Sequence, residues 1–310
     1  MKLFDNRPMT AFCVLCFIWG TTWLATKVAL ETMPPLFMAG SRFVAAGLIM
    51  TAFGRPKNGE PLVRRADIGR LLIASLFMIV LCYGPLFWAM QFIESGLAAV
   101  IDMSLTPVAL LVCAVAMGQE KATPRKVFAL ILGVAGVVIM FLPDLSRMSS
   151  AGDSRMRIIG GLVTASAAFT YAFGSVVAKP LLRSYSSTLL SGLTTLIGGA
   201  VLLVVSLAFE PGAVAALDLR WGLNAWLGWL YLMLFGSLIA FALYMQLLRD
   251  LGASKSGNFA FVSPAIAVVA GAVALGERIE WVSWAGMAVM LTAAAISLHG
   301  AEKVPRHTAD

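Results

Sequence analysis

The sequence predicts an all-α integral membrane protein, with ten transmembrane helices built as two five-helix repeats inverted with respect to each other. Three observations lead there. First, 60% of the 310 residues are hydrophobic, 13% are charged and the mean hydropathy is +0.88, whereas a soluble domain carries about 25% charged residues. Second, ten apolar runs fit into the chain with short connections and leave no room for a separate soluble domain; each is close to the ~20 residues that cross a bilayer as a helix. Third, the stretch GLAAVIDMSLTPVALLVCAVAMGQE (96–120) returns 157 positions later as ASKSGNFAFVSPAIAVVAGAVALGE (253–277). Pro107 falls on Pro264, Thr106 on Ser263, Glu120 on Glu277 and Lys121 on Arg278. Five spans per half is an odd number, so the second half enters the membrane from the opposite side, which makes the repeat inverted.

In chain order the spans are expected at 10–30, 34–53, 68–90, 94–117, 126–142, 158–179, 187–209, 224–248, 253–275 and 281–299. The first repeat is then 10–142, the second 158–299, and 300–310 is a polar tail. The run from Thr10 to Leu30 is too long for the core of a cleaved signal peptide, so it is read as a retained first span. Span 2 opens on Pro34 and Pro35, where proline costs a helix least. Spans 4 and 9 each carry an internal proline, which removes a backbone donor and frees a carbonyl. In lipid such a carbonyl needs a neighbour or a water-lined cavity. Interrupted spans at matching places of two halves are a pointer to a transporter's binding site. The longer loops, 54–67 and 210–223, also occupy matching places, and 143–157 joins the halves.

The net charge of +7 does not indicate a nucleic-acid partner, because the basic residues sit in loops between spans. With the N-terminus inside and ten alternating spans, 16 of the 23 Lys and Arg residues fall on the cytoplasmic side, six outside, and Arg42 within a span. The excess of Lys and Arg on the cytoplasmic side of membrane proteins therefore puts both termini in the cytoplasm; the three arginines of 143–157 run against that bias. Cys13, Cys16, Cys82 and Cys113 all lie within apolar runs. The CxxC spacing of the first two has no second pair or histidine beside it, so packing or lipid contact is the expected role rather than metal or redox work.

Polar and aromatic groups inside the spans are the candidate functional residues. An arginine at mid-span costs about 2.5–3.5 kcal/mol on insertion scales. Arg42 therefore either bonds neighbouring carbonyls or an acid to fix packing, or attracts a substrate carboxylate. Asp102 is the acid lying well inside a span. It either pairs with Arg42 or another internal donor, or it binds an ammonium group or takes a proton in a coupling step, since an isolated buried carboxylate tends to neutralise itself that way. Asn258 lies almost opposite Asp102 in the repeat and offers both donor and acceptor. Trp19, Trp23, Tyr83, Trp88, Tyr171 and Tyr244 belong either to interfacial belts or, for the deeper Trp19, Tyr83 and Tyr171, to the wall of a cavity. Glu120 and Glu277 close their spans, either solvated or bonded to the first turn of the next helix. Ala114 and Gly118, like Ser263, Ala267 and Gly271, recur every four residues, a spacing that lets helices approach closely.

No catalytic constellation is present in the sequence. It has no Gly-rich phosphate loop, so an ATP-driven pump is excluded. Its two histidines, His299 and His307, lie at the tail, and no metal-ligand cluster or cofactor motif is found. A membrane enzyme acting on lipid-linked substrate needs clustered acids or histidines at an interface, and a non-transporting interaction module needs no polar groups within spans. The expected partners are a small-molecule substrate, membrane lipid and, through Asp102, protons.

The stretches FIWGTTWLATKVAL, MPPLFMAGSRFVAAGL, TYAFGSVVAK, LFGSLIAFALYMQLLRDLGASKSGNFAFVSPAIAVVAGAVALGE and the Pro107–Glu120 segment resemble the EamA family of the drug/metabolite transporter superfamily, over about 10–299. The resemblance implies a bacterial inner-membrane carrier of ten helices in two inverted EamA repeats. Characterised relatives mostly export amino acids and other small metabolites; multidrug and nucleotide- or sugar-type permeases of the superfamily are the alternative. It also implies a central cavity lined by spans 1, 3, 4, 6, 8 and 9, which makes Trp19, Tyr83, Asp102, Tyr171, Tyr244 and Asn258 candidates to line it. Arg42 matches an arginine common in the second span. Asp102 stands where relatives usually carry an uncharged residue. On this reading helices rock about Pro107 and Pro264.

Overall fold

The structure is a computed structural model and describes residues 8–54, 56, 61–89, 92–93, 95–142, 154–275 and 280–299. The described residues are helical, with no strand among them. The helices are α1 (Pro8–Leu30), α2 (Pro35–Phe53), α3 (Arg65–Ala89), α4 (Ser95–Ala116), α5 (Pro124–Met140), α6 (Ser154–Ala178), α7 (Ser187–Phe209), α8 (Leu223–Leu251), α9 (Phe259–Leu275) and α10 (Trp281–Leu298). Their ends follow local chemistry. Pro35 and Pro124 occupy first-turn positions, where the missing N–H is no loss. Thr123 and Ser186 act as N-caps, their hydroxyls accepting from the amides of Lys126 and Leu189. Six of the helices are long and apolar enough to cross a bilayer, and exposed Phe17, Phe53, Ile131, Val204 and Val273 face outward as lipid contact requires. The protein is a multi-pass membrane protein.

Two helices contain π-helical stretches, Leu76–Val80 in α3 and Leu232–Ile239 in α8. A π turn widens the helix and is frequently found at functional sites.

Small residues set the closest contacts. α2 and α7 touch along Gly40 and Gly47 on one side and Gly192 and Gly199 on the other; a Cβ on Gly47 would stand 2.6 Å from the amide nitrogen of Leu196. Between α5 and α10, Gly136 faces Met290 and Gly286 faces Met140. α1 packs on α9 and α8, while α6 packs on α4 and α3. With no hydrophobic drive between helices in lipid, such close backbone approach carries much of the association. At one end of the bundle the carboxylate of Glu210 accepts from the amides of Leu36 and Phe37, both at 2.9 Å. It thereby fills two orphan donors at the positive end of α2.

Three expectations change. Residues 154–157, expected in the loop between the halves, form the first turn of helix α6, and 143–153 lie outside the described residues. The proline-bearing spans are not interrupted at their prolines. α4 continues through Pro107 and α9 through Pro264. The actual break lies earlier in the ninth span, at Gly257–Asn258, between α9 and a single turn at Ala253–Ser256. A proline in the helix interior only has to lose one bond and tilt the axis, and packed neighbours hold both helices together. Gly118 also departs from its expected packing role: with φ 66 and open space around it, it turns the chain after α4.

Candidate substrate cavity

A cavity of about 140 Å³ lies within the bundle. Trp19, Thr22 and Thr26 of α1 line it, with Arg42 of α2 and Cys82, Tyr83, Leu86 and Phe87 of α3. Asp102, Met103 and Thr106 of α4, Tyr171 of α6, Gly236 and Phe241 of α8, and Phe259 and Ser263 of α9 complete it. Tyr171, Phe241, Phe259 and Ser263 come from the halves of their helices nearer Glu120. The lining residues of α1 to α4 come from the middle and later part of α1, the early part of α2, the last third of α3 and the early part of α4, toward the bundle end that carries Glu210. On the opposite side the floor is a layer of rings. Trp19 packs against Phe259, Tyr244 and Phe241 with centroids 4.4, 5.5 and 5.8 Å away, and Tyr171 against Tyr244 at 5.4 Å. The Trp19 indole N–H donates to the Gly236 carbonyl at 3.4 Å, within the π-helical stretch of α8.

Arg42 is 6% exposed. Its guanidinium carbon lies 4.6 Å from the Phe43 ring centroid and 5.9 Å from that of Tyr83, a cation–π setting. Its Nε is buried without a partner, and no ion pair among the described residues includes Arg42 or Asp102. The packing role in which they neutralise each other is therefore not what the side chains do. Asp102 and Thr106, one turn apart on α4, look into the same cavity from a different wall.

Of the sequence candidates, Trp19, Arg42, Tyr83, Asp102 and Tyr171 line the cavity. Tyr244 does not reach it; fully buried behind Trp19 and Tyr171, it donates its hydroxyl hydrogen to Ser175 at 2.9 Å. Asn258 is also outside the lining. Its amide donates to the carbonyls of Ser254 and Lys255 and to the Ser297 hydroxyl of α10, at 3.2, 3.0 and 2.8 Å. It secures the break in the ninth span. Trp88 sits on the outside of the bundle, 40% exposed and tilted against Phe92 with ring centroids 4.8 Å apart. Ring character alone cannot tell a belt residue from a wall residue when both fall on the same helix. Pro107 packs near Gly257 across the α4–α9 contact. Glu277 lies outside the described residues.

Residues not singled out in the sequence also line the wall. Thr22 and Thr26 follow Trp19 at helical spacing, a stripe that was readable. Thr106 lies one turn beyond Asp102. Gly236 had no signal, because a π stretch leaves none.

Glu120 closes the end away from the cavity. Its carboxylate pairs with Lys126 at 3.0 Å and Lys179 at 3.7 Å, and accepts from the Ser254 amide at 3.2 Å and from the Ser254 hydroxyl. Burial raises its pKa, but the hydrogen bonds from Ser254 and Lys126 and the charges of Lys126 and Lys179 outweigh that and leave it below the usual 4.5. Gly252, at φ 86, has no room for a Cβ beside this carboxylate, since one would stand 2.6 Å from its Oε1. Beside the knot, the Gln119 amide donates to the Val176 carbonyl of α6 at 2.8 Å. The group therefore ties α4 and α5 to the ends of α6 and α8 and the start of the ninth span.

The model of the EamA-like transporter family matches residues 7–142 and again 158–298. The chain belongs to the EamA family. It is 28% identical over 288 residues to the uncharacterized inner membrane transporter YedA of Escherichia coli, covering 91% of this chain and 88% of YedA. It is 26% identical over 293 residues to the uncharacterized transporter YvbV of Bacillus subtilis, covering 94% and 91%. A solved crystal structure superposes with a TM-score of 0.76 at 19% identity, covering 94% of this chain and 96% of that one; at that identity the likeness is one of fold. The EamA protein described here is a membrane transporter of the drug/metabolite superfamily, not an enzyme.

Proposed function

We propose that the protein is a secondary carrier that exports amino acids or related small metabolites across the bacterial inner membrane by alternating access. The observation that carries the reading is the 140 Å³ cavity at mid-span, with a guanidinium and a carboxylate among mainly apolar walls. Charged groups within spans are expensive and mark substrate or ion pathways. Pockets for drug-sized ligands run about 300–1,000 Å³, so the volume favours a small metabolite over a multidrug substrate.

Ten helices in two inverted repeats, residues 10–142 and 158–299, account for the pairing of contacts. α2 meets α7 and α5 meets α10 through glycines from both partners, and the α1 contacts with α9 and α8 have their counterparts in α6 with α4 and α3. α4 and the ninth span run in opposite directions, because Pro107 and Leu110 lie near Gly257 while Glu120, further along, meets Gly252 and Ser254. With both termini cytoplasmic, the Glu120 knot seals the inner mouth and the cavity faces outward. Rocking of one repeat on the other would break that knot and open the inner side.

The test is flux into liposomes from a panel of amino acids, sugars and drugs, with and without a pH gradient. Counterflow of amino acids is expected. Flux of bulky drugs only, or of nothing in the panel, contradicts the reading. Proton antiport and facilitated release separate in the same assay: antiport requires that the gradient drive uptake and that Asp102→Asn abolish that drive.

A further inference from the structure

Resting on that carrier reading, we infer that Arg42 and Asp102 act together as a two-point charge filter, so that the cavity takes solutes carrying a separated anionic and cationic group and rejects solutes carrying only one. Asp102 is the specificity-determining half of the filter.

Four observations converge. Arg42 is 94% buried by its 6% exposure, lines the cavity, and keeps an unpartnered Nε there. Phe43 and Tyr83 hold its guanidinium against the α2–α3 wall, and a Cβ on Gly236 would stand 3.7 Å from its Nη1. Asp102 opens into the same space from α4 and forms no ion pair among the described residues. The rest of the wall is mostly apolar, with Leu86, Phe87 and Met103 beside the two charges.

Two opposite charges in one small, weakly polar cavity would attract strongly if nothing held them apart. Here they stand on different walls and neither neutralises the other. A ligand with a single charge compensates one of them and seals the other from water without a partner, which is the costly outcome for a buried charge. A ligand with a carboxylate for Arg42 and an ammonium for Asp102 compensates both at once, through charge-assisted hydrogen bonds. The apolar wall then receives the rest of the molecule. Two charges on separate walls also fix the direction in which the solute lies, which a single charge does not.

The experiment measures uptake into liposomes, and thermal stabilisation of the detergent-solubilised wild type, with four probes of one skeleton: L-leucine, its carboxyl amide, its N-acetyl derivative and the decarboxylated amine. The wild type is expected to transport leucine, and to be stabilised by it, about tenfold better than by any singly charged derivative. Asp102→Asn is expected to lose leucine selectivity over N-acetyl-leucine, and Arg42→Gln to lose it over the amide. Trp88→Ala, outside the cavity, serves as the transport control. Equal handling of leucine and its singly charged derivatives by the wild type overturns the filter, and needs no folded variant to do so. Transport of sugars or single ions in place of leucine overturns the filter but leaves the carrier. Absence of flux for every solute of the wider panel overturns the carrier reading, and the filter with it.

Discussion

α4 and the ninth span share one sequence pattern but differ in side-chain chemistry and in where the helix is continuous. Each has an internal proline followed thirteen residues later by glutamate. α4 stays continuous through Pro107 and presents Asp102 and Thr106 to the cavity. The ninth span presents Phe259 and Ser263, the positions 157 residues after those two, to the same cavity, but it breaks just before them at Gly257–Asn258, where Asn258 binds two carbonyls and Ser297. In these two helices the repeat fixes which positions face the cavity, while the side chains there set its chemistry and Asn258 secures a break that α4 lacks. A carboxylate can only accept, and at Asn258 the environment is two acceptors that require a donor.

Exchanging the two chemistries sharpens that contrast. Asn258→Asp is expected to have the largest effect, a destabilisation of about 2–4 kcal/mol, because it sets an acceptor against two buried carbonyls and removes the donor both rely on; thermal melting in detergent checks it. Glu120→Gln comes next. It strips the charge that two lysines and Ser254 surround, and should cost about 2–3 kcal/mol, below the ~3–5 for breaking a fully buried pair because the lysines are partly solvated. The same carboxylate predicts a pH dependence. Its pKa is depressed on folding, so its contribution is present above 4.5 and is lost as pH falls through the lower folded value. Melting temperatures of wild type and Glu120→Gln should therefore begin to converge as pH falls below about 4.5 and meet once it has passed the lower folded value. Asp102→Asn should change stability by less than about 1 kcal/mol while changing transport, because this side chain faces the cavity rather than a neighbouring helix. Trp88→Ala should move neither by more than about 0.5 kcal/mol, as surface substitutions do. A loss of transport in Trp88→Ala with the cavity variants unaffected would reverse the assignment of belt and wall.

Much of this was legible in the chain. The helices followed from apolar run length, most of them within a few residues at each end. Arg42 and Asp102 stood out because charge inside an apolar run costs too much to be idle. Legibility failed where partners from distant helices decide the outcome. Trp88 and Tyr83 sit five residues apart on one helix, and only the packing of α2 and α6 separates an exposed ring from a cavity wall. Asn258 looked like a ligand because the sequence does not reveal Ser297 beside it. The π-helical stretches of α3 and α8 leave no composition signal, yet they place Gly236 beneath Trp19.

The central claim is that this cavity opens toward the Glu210 end, is sealed by the aromatic layer and the Glu120 knot, and is the path of the solute. The most direct measurement uses a protein with its four native cysteines replaced and a single reporter, Thr26→Cys, in vesicles of known orientation. A membrane-impermeant thiol reagent should modify the reporter from the Glu210 side, and a transported amino acid should slow that reaction. Modification from the Glu120 side alone, or a rate unaffected by any transported solute, would contradict the account.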